Sequence, residues 1–238
     1  MIDTTFDFRS DTPDGRDPDA FSPTLRKYHK LLWNKALPNG QVFDLDTSDP
    51  RRYLHHNSES RDWILTSDSI IPTFTRWVRL KHITTQFPED ENETFRSIGY
   101  TMGGMMIWPG VSVKGQRTIN VERGFNQKVA DRMDLTLECV RRHYLGESSP
   151  MAATLAIYDA YFAIFEDFRG FADFFLLQDI VSDGYTAVKT FMPFDNFNGP
   201  STPQDVGTYT EYRRLSIEFI EARNRRIDSY KARLAVQD

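Results

Sequence analysis

Asp131, Asp134, Glu138 and Arg141 or Arg142 fall three or four residues apart, the spacing that places side chains on one helix face, within reach of each other or of a ligand. Two carboxylates so placed can hold a divalent cation or divide the roles of acid and base. The same spacing also makes an ordinary ladder of ion pairs, with Glu138 one turn before Arg142. Just upstream, Thr118 to Asn126 reads TINVERGFN. Ahead of a helix, free backbone N–H groups and the dipole favour an anion, and Arg123 beside Gly124 adds a fork of donors. Asn120, Arg123 and Asn126 are therefore candidate ligand-binding residues for a phosphate or carboxylate, and Asp131 and Asp134 candidate catalytic groups. Asn126 serves equally as an N-cap. Arg123 bonded to Asp131 or Glu138 inside a closed core would remove the ligand and leave only an internal ion pair.

Other chemistry-bearing patterns are incomplete. There is no Gly-x-x-x-x-Gly-Lys-[Ser/Thr] run, and Gly103-Gly104 does not complete a dinucleotide fingerprint. The five histidines, His29, His55, His56, His82 and His143, show no His-Glu-x-x-His motif and no pair three or four apart. Adjacent His55 and His56 would point to opposite faces of a strand. No residue is assigned to a metal. Asp7, Arg9 and Asp11 share one face of an extended Phe6–Thr12, either as a catalytic face or as an edge strand with an internal charge pair. His29 and Trp33, one turn apart, suit base stacking or a core anchor.

The elements that must hold these groups follow from periodicity and punctuation. Ser22-Pro23 is an N-cap and first-turn proline, opening a helix that ends at Leu37-Pro38. Short strands are expected at Gln41–Asp46, Tyr53–His56 and Asp62–Thr66, the last two forming a hairpin across residues 57–61. Apolar residues at helical offsets predict a helix over Ser67–Phe87, interrupted near Pro72, then an acidic surface loop over Pro88–Glu93. The glycines within Phe95–Trp108 suit a strand approached closely by other backbone, returning as a second strand over Val111–Val121. Val129, Met133, Leu137, Val140 and Tyr144 predict one amphipathic helix over Asn126–Leu145. Helices over Pro150–Phe168 and Phe171–Val181, an irregular 182–207 connection with a strand at Tyr185–Phe191, and a long basic-ended helix from Tyr209 complete the chain.

Composition bounds what these elements can do. The 238 residues are 39% apolar and 13% aromatic, enough for a sizeable core in one unit, residues 1–238, with 1–22 as an extended arm. A net charge of -5 argues against coating nucleic acid or anionic membrane over a broad face, while leaving room for a local basic groove. One cysteine, Cys139, precludes an intrachain disulfide and fits a reducing cytosol. The N-terminus carries no secretory h-region, and acids interrupt the apolar 152–181 stretch, so a cytoplasmic protein is expected.

The motifs TINVERGFN, DRMDLTLECVRRHY and FADFFLLQDIV, with FDFRSDTPDG and YHKLLWNKALPNG nearer the N-terminus, resemble a bacterial family of unknown function. That resemblance spans most of the chain and implies a cytosolic protein, without a reaction or cofactor. Arg223-Asn224 resembles the start of the RNase motif of helical HEPN nucleases, but Asp228 stands where the motif needs histidine, and nothing is carried over. The expected architecture is α+β: a mainly helical single domain, with five or six helices packed on a small, largely antiparallel sheet. Its expected function is binding of a phosphate-bearing ligand, as in a nucleotide- or nucleic-acid-processing enzyme. The rival is a non-catalytic interaction or regulatory protein that offers its aromatic C-terminal helices to a partner.

Overall fold

The computed structural model describes residues 2–57, 62–112 and 115–234. In chain order the elements are α1 (Pro18–Phe21), α2 (Pro23–Trp33), β1 (Lys35–Ala36), β2 (Val42–Asp46), β3 (Leu54–Asn57) and β4 (Asp62–Ser69). There follow α3 (Lys81–Thr84), α4 (Glu89–Gly99), β5 (Met105–Pro109), α5 (Ile119–Phe125) and α6 (Met133–Tyr144). The chain continues through α7 (Ala152–Ala156), α8 (Asp159–Ala163), α9 (Phe168–Phe174) and α10 (Val206–Leu234). The five strands pair antiparallel in sequence order, giving the expected α+β class with more, and shorter, helical segments than anticipated.

The β3–β4 hairpin forms as its alternation indicates, pairing Leu54 with Leu65 and His56 with Trp63; most of its loop lies outside the described residues. At Ser67 the expectation fails. Instead of turning helical, β4 runs on to Ser69 against β5, and residues 70–77 form a loop. Its apolar side chains keep their burial, but α10 supplies its polar partners: Tyr212 Oη donates to the Pro72 carbonyl (2.9 Å) and Tyr209 Oη to that of Thr73 (2.6 Å). The acidic run expected as a surface loop is the first turn of α4, where Glu89, Asp90 and Glu91 suit the positive end of the dipole.

Helix α4 takes Phe95–Gly99 out of the expected strand, and only Met105–Pro109 remains extended. Close backbone approach at the glycines is real. A Cβ on Gly103 would lie 2.5 Å from the Ile220 carbonyl oxygen of α10, while Gly103 N–H donates to Asn224 Oδ1 (2.6 Å). Beside it, fully buried Arg223 donates to the carbonyls of Gly103, Met105 and Phe175. The Arg-Asn pair thus fastens α10 to the β5 entry.

Where a second strand is expected, residues 119–125 are helical. The single helix expected over 126–145 breaks at Ala130 (φ 51°) and Asp131 (φ 62°), left-handed conformations for non-glycine residues. From Met133 to Val140 every residue of α6 is buried, so its first two turns lie inside the core and its charges need internal partners. The expected 150–168 and 171–181 helices divide into α7, α8 and α9, with a 3₁₀ turn at Gln178–Ile180. The strand expected at 185–191 reduces to one bridge between Val181 and Val188. The N-terminal arm is not extended throughout: Phe8–Asp11 is a 3₁₀ turn and Pro18–Phe21 is α1. One cluster of buried apolar side chains runs from Ile2 to Ile227. No helix among the described residues is long and apolar enough to cross a membrane.

Candidate acid–base cleft

Asp17 caps α1 by accepting the Asp19 N–H at 3.1 Å, with Pro18 at the first helical position. This short turn docks on β4, whose Ser69 N–H donates to Asp19 Oδ2 at 3.2 Å. Strand pairing of Asp68 with Met106 fixes the next carboxylate. The third, Asp131, sits on the left-handed turn before α6. All three line one cleft of about 580 Å³, with Phe74, Trp77 and Tyr100 among its walls. Phe74 is also left-handed, at φ 60°. Two such non-glycine residues facing one cavity are a mark of functional sites, because backbone strain survives only where surrounding packing enforces it.

Arg123 lies beneath the acids with no exposed surface. Nη1 donates to Asp68 Oδ2 at 2.9 Å, Nε to Thr136 Oγ1 at 3.1 Å, and Nη2 to the Asp131 carbonyl at 2.9 Å. Its Nη2 is also 3.4 Å from Asp131 Oδ1. The paired carboxylates stay open to the cleft, Asp68 being 25% exposed and Asp131 33%. Arg123 is therefore bonded to Asp131 without the core being closed over the pair.

Asp17 lines the same cleft, and burial together with this crowding of carboxylates raises the pKa values of Asp19 and Asp68. Burial, opposed by Arg123 and assisted by Asp131, raises the Asp68 pKa to about 7. Burial and then the charge of Asp68 raise Asp19 well above the carboxylate range, and burial raises Asp131 against the pull of Arg123. Asp19 and Asp68 lie close enough on the cleft for each to perturb the other. Asp19 Oδ1 is buried without a donor.

The pH dependence follows in sign. A folded Asp68 near 7, against 3.8 ordinarily, binds more protons than the unfolded chain between those values, so its contribution to stability is full below about 4 and disappears as pH rises through 7. Asp68→Asn is expected to flatten this part of the profile. Urea unfolding at pH 5 and pH 8 checks it; an unchanged difference between the two pH values would sink the assignment.

The other sequence candidates lie elsewhere. Asn120 is half-buried, and its Nδ2 donates to Thr66 Oγ1 at 3.0 Å. Asn126 ends α5, donating to Glu122 Oε1 (2.8 Å) and the Pro150 carbonyl (3.0 Å); Thr118 is the N-cap of that helix. Asp134 is fully buried against Arg132 and accepts the Phe191 N–H at 2.8 Å. Glu138 takes Arg141 and Arg142 at 2.8 and 2.7 Å. Of the five candidates, Asp131 lines the cleft and Arg123 supports it.

Asp19 and Asp68 escaped the sequence reading, the first inside an acidic arm and the second in a stretch whose apolar spacing imitates a helix. The Asp-Pro-Asp cap at residues 17–19 is the one signal that could have drawn attention to the arm. No histidine lines the cleft. His29 accepts from Trp33 Nε1 at Nδ1 (3.0 Å), so its Nε2 donates to Ser67 Oγ (2.8 Å), and burial depresses its pKa to about 3. No group of three or more His, Cys, Asp or Glu among the described residues is placed to hold a metal ion.

The chain belongs to a family of unknown function (DUF6994), whose model matches residues 2–227. No curated protein and no solved structure matches it.

Proposed function

We propose that the protein is an enzyme performing acid–base chemistry, of the hydrolytic type, on a phosphate-bearing substrate bound in the Asp19–Asp68–Asp131 cleft. The observation that carries this is the convergence of Asp19, Asp68 and Asp131 on one cavity above the buried Arg123, with Asp68 poised near neutrality. Asp68, held ionised by Arg123, takes a proton from water as its oxygen bonds to the substrate. Asp19 gives its proton to the leaving group as the old bond breaks. The proton then held by Asp68 passes back to Asp19 within the cleft, so the pair is restored.

Charge orients the substrate. A phosphate is repelled by the acidic floor and drawn to Arg16 and Arg76, exposed lining residues that make no ion pair among the described residues. The reacting group is then the uncharged end, which meets the carboxyls. The rival reading as an aromatic interaction protein has less support, since Phe171, Phe175, Tyr209, Tyr212 and Phe219 are all buried in the core.

A thermal-shift screen with inorganic phosphate, sugar phosphates and mononucleotides tests binding, because a ligand at a hundredfold its Kd adds about 2.7 kcal/mol to stability. Arg76→Ala should abolish the shift. With a stabilising compound as substrate, Asp68→Asn should keep the shift and lose turnover by about 10²–10⁴-fold. No shift at saturation, or full turnover in Asp68→Asn, would refute the proposal.

A further inference from the structure

We infer that the substrate of this cleft is a segment of single-stranded nucleic acid, whose neighbouring phosphates continue past Phe21 into a basic groove along α2. The inference rests on the cleft holding a phosphate at Arg16 and Arg76. The groove has a volume of about 650 Å³, and no residue lining it is acidic. Its cations are Arg26, Lys27, Lys30 and Arg52.

These cations divide into two kinds. Arg26 is buried and occupied, donating to the carbonyls of Thr47, Arg52 (2.6 Å), Asp49 (3.3 Å) and Tyr53 (3.3 Å); it shapes the groove wall. Lys27, Lys30 and Arg52 are exposed and make no ion pair among the described residues. Neighbouring Arg51, by contrast, is tied to Asp49 at 3.1 Å. Arg52 is held left-handed (φ 76°), a conformation that turns a bulky residue away from its ordinary backbone course.

Phe21 joins the two cavities. The Arg16 guanidinium lies over its ring at 5.1 Å and the Arg52 guanidinium at 5.4 Å. Arg16 lines the cleft and Arg52 the groove, so one aromatic ring holds a cation of each within the reach of one side chain. A track of cations leading to the aromatic walls of the cleft, Phe74, Trp77 and Tyr100, is what a flexible phosphodiester strand requires, the cations following the backbone and the rings stacking on bases. Leu31, 48% exposed at the groove, adds an apolar contact for a base or sugar. A mononucleotide fills only the cleft and leaves Lys27 and Lys30 unused.

Fluorescence anisotropy with labelled short oligothymidylate and oligouridylate, beside thymidine monophosphate as competitor, tests this on the full chain. Lys27→Glu with Lys30→Glu changes two exposed residues of α2 and should leave the fold intact, which circular dichroism checks. This variant should weaken binding of whichever strand the protein takes by at least about tenfold, and lower the salt dependence by roughly 0.7 per lost phosphate contact. Thymidine monophosphate should bind it as before. Lys27→Arg with Lys30→Arg should retain strand binding. Equal strand affinity in wild type and the Glu variant would overturn the inference. So would monophosphate binding with no strand tighter than it, an outcome that leaves the cleft proposal standing; failure of both probes removes the two together.

Discussion

Arg123→Met is expected to destabilise the protein by about 3–5 kcal/mol, the range for removing one partner of a buried charge pair. The side chain has no exposed surface, and its donors reach Asp68, Thr136 and the carbonyls of Ile70 and Asp131. Its loss leaves these acceptors without their donor and Asp68 and Asp131 without their cation. The remaining acids respond by binding protons, so the variant should be most impaired at alkaline pH. Asp68→Asn in the same chain removes one of the stranded charges and should recover part of the loss. Urea unfolding of the two single variants and the double variant measures the coupling directly. Additive effects would mean that Arg123 and Asp68 do not act as a pair.

Asp134→Ala is expected to be as severe, by a different route. Arg132 and Asp134 are 1% and 0% exposed and bonded side on, through both Nε and Nη2 of the arginine. Each also holds the 182–207 connection: Asp134 accepts the Phe191 N–H at 2.8 Å, and Arg132 Nη1 donates to the Ser201 carbonyl at 3.0 Å. Truncation strands a buried guanidinium and frees a buried amide, costing about 3–5 kcal/mol. Hydrogen exchange should show the Phe191 amide losing protection well before the amides of α6. A loss below about 1 kcal/mol, with that amide still protected, would show that packing alone anchors the connection.

The acids Asp131 and Asp134 belong one to each of these clusters, yet only the first lines the cleft. Asp131 and Asp134 are three apart, and helical spacing puts them on one face. The left-handed turn at Ala130 and Asp131 rotates the first acid away before α6 begins. One carboxylate opens to solvent beside Asp68, while the other closes inside the core. Spacing arguments assume a continuous helix, and a single left-handed residue voids them.

What the sequence determined by itself was local or compositional. Ser22-Pro23 starts α2, accepting the Leu25 N–H at 3.0 Å, because a cap needs only its own neighbours. The β3–β4 hairpin, the long last helix and the burial of Cys139 follow from alternation, periodicity and polarity in the same way. The crowding of polar groups in residues 118–144 was legible too, since such groups in an apolar stretch must find partners.

Tertiary structure decided which partners. Residues 70–77 carry helical spacing but form a loop, because Tyr209 and Tyr212, more than 130 residues away in sequence, satisfy its carbonyls. Asp19 and Asp68 perturb each other only because α1 docks on β4 through Ser69. Neither has a neighbour in sequence that foretells the other. A perturbed carboxyl pair arises from desolvation and from charges at a few ångströms, and both are set by where distant segments meet. The family match carries no chemistry, and the chemistry proposed for the chain rests on that meeting of the N-terminal arm, the sheet edge and the turn before α6.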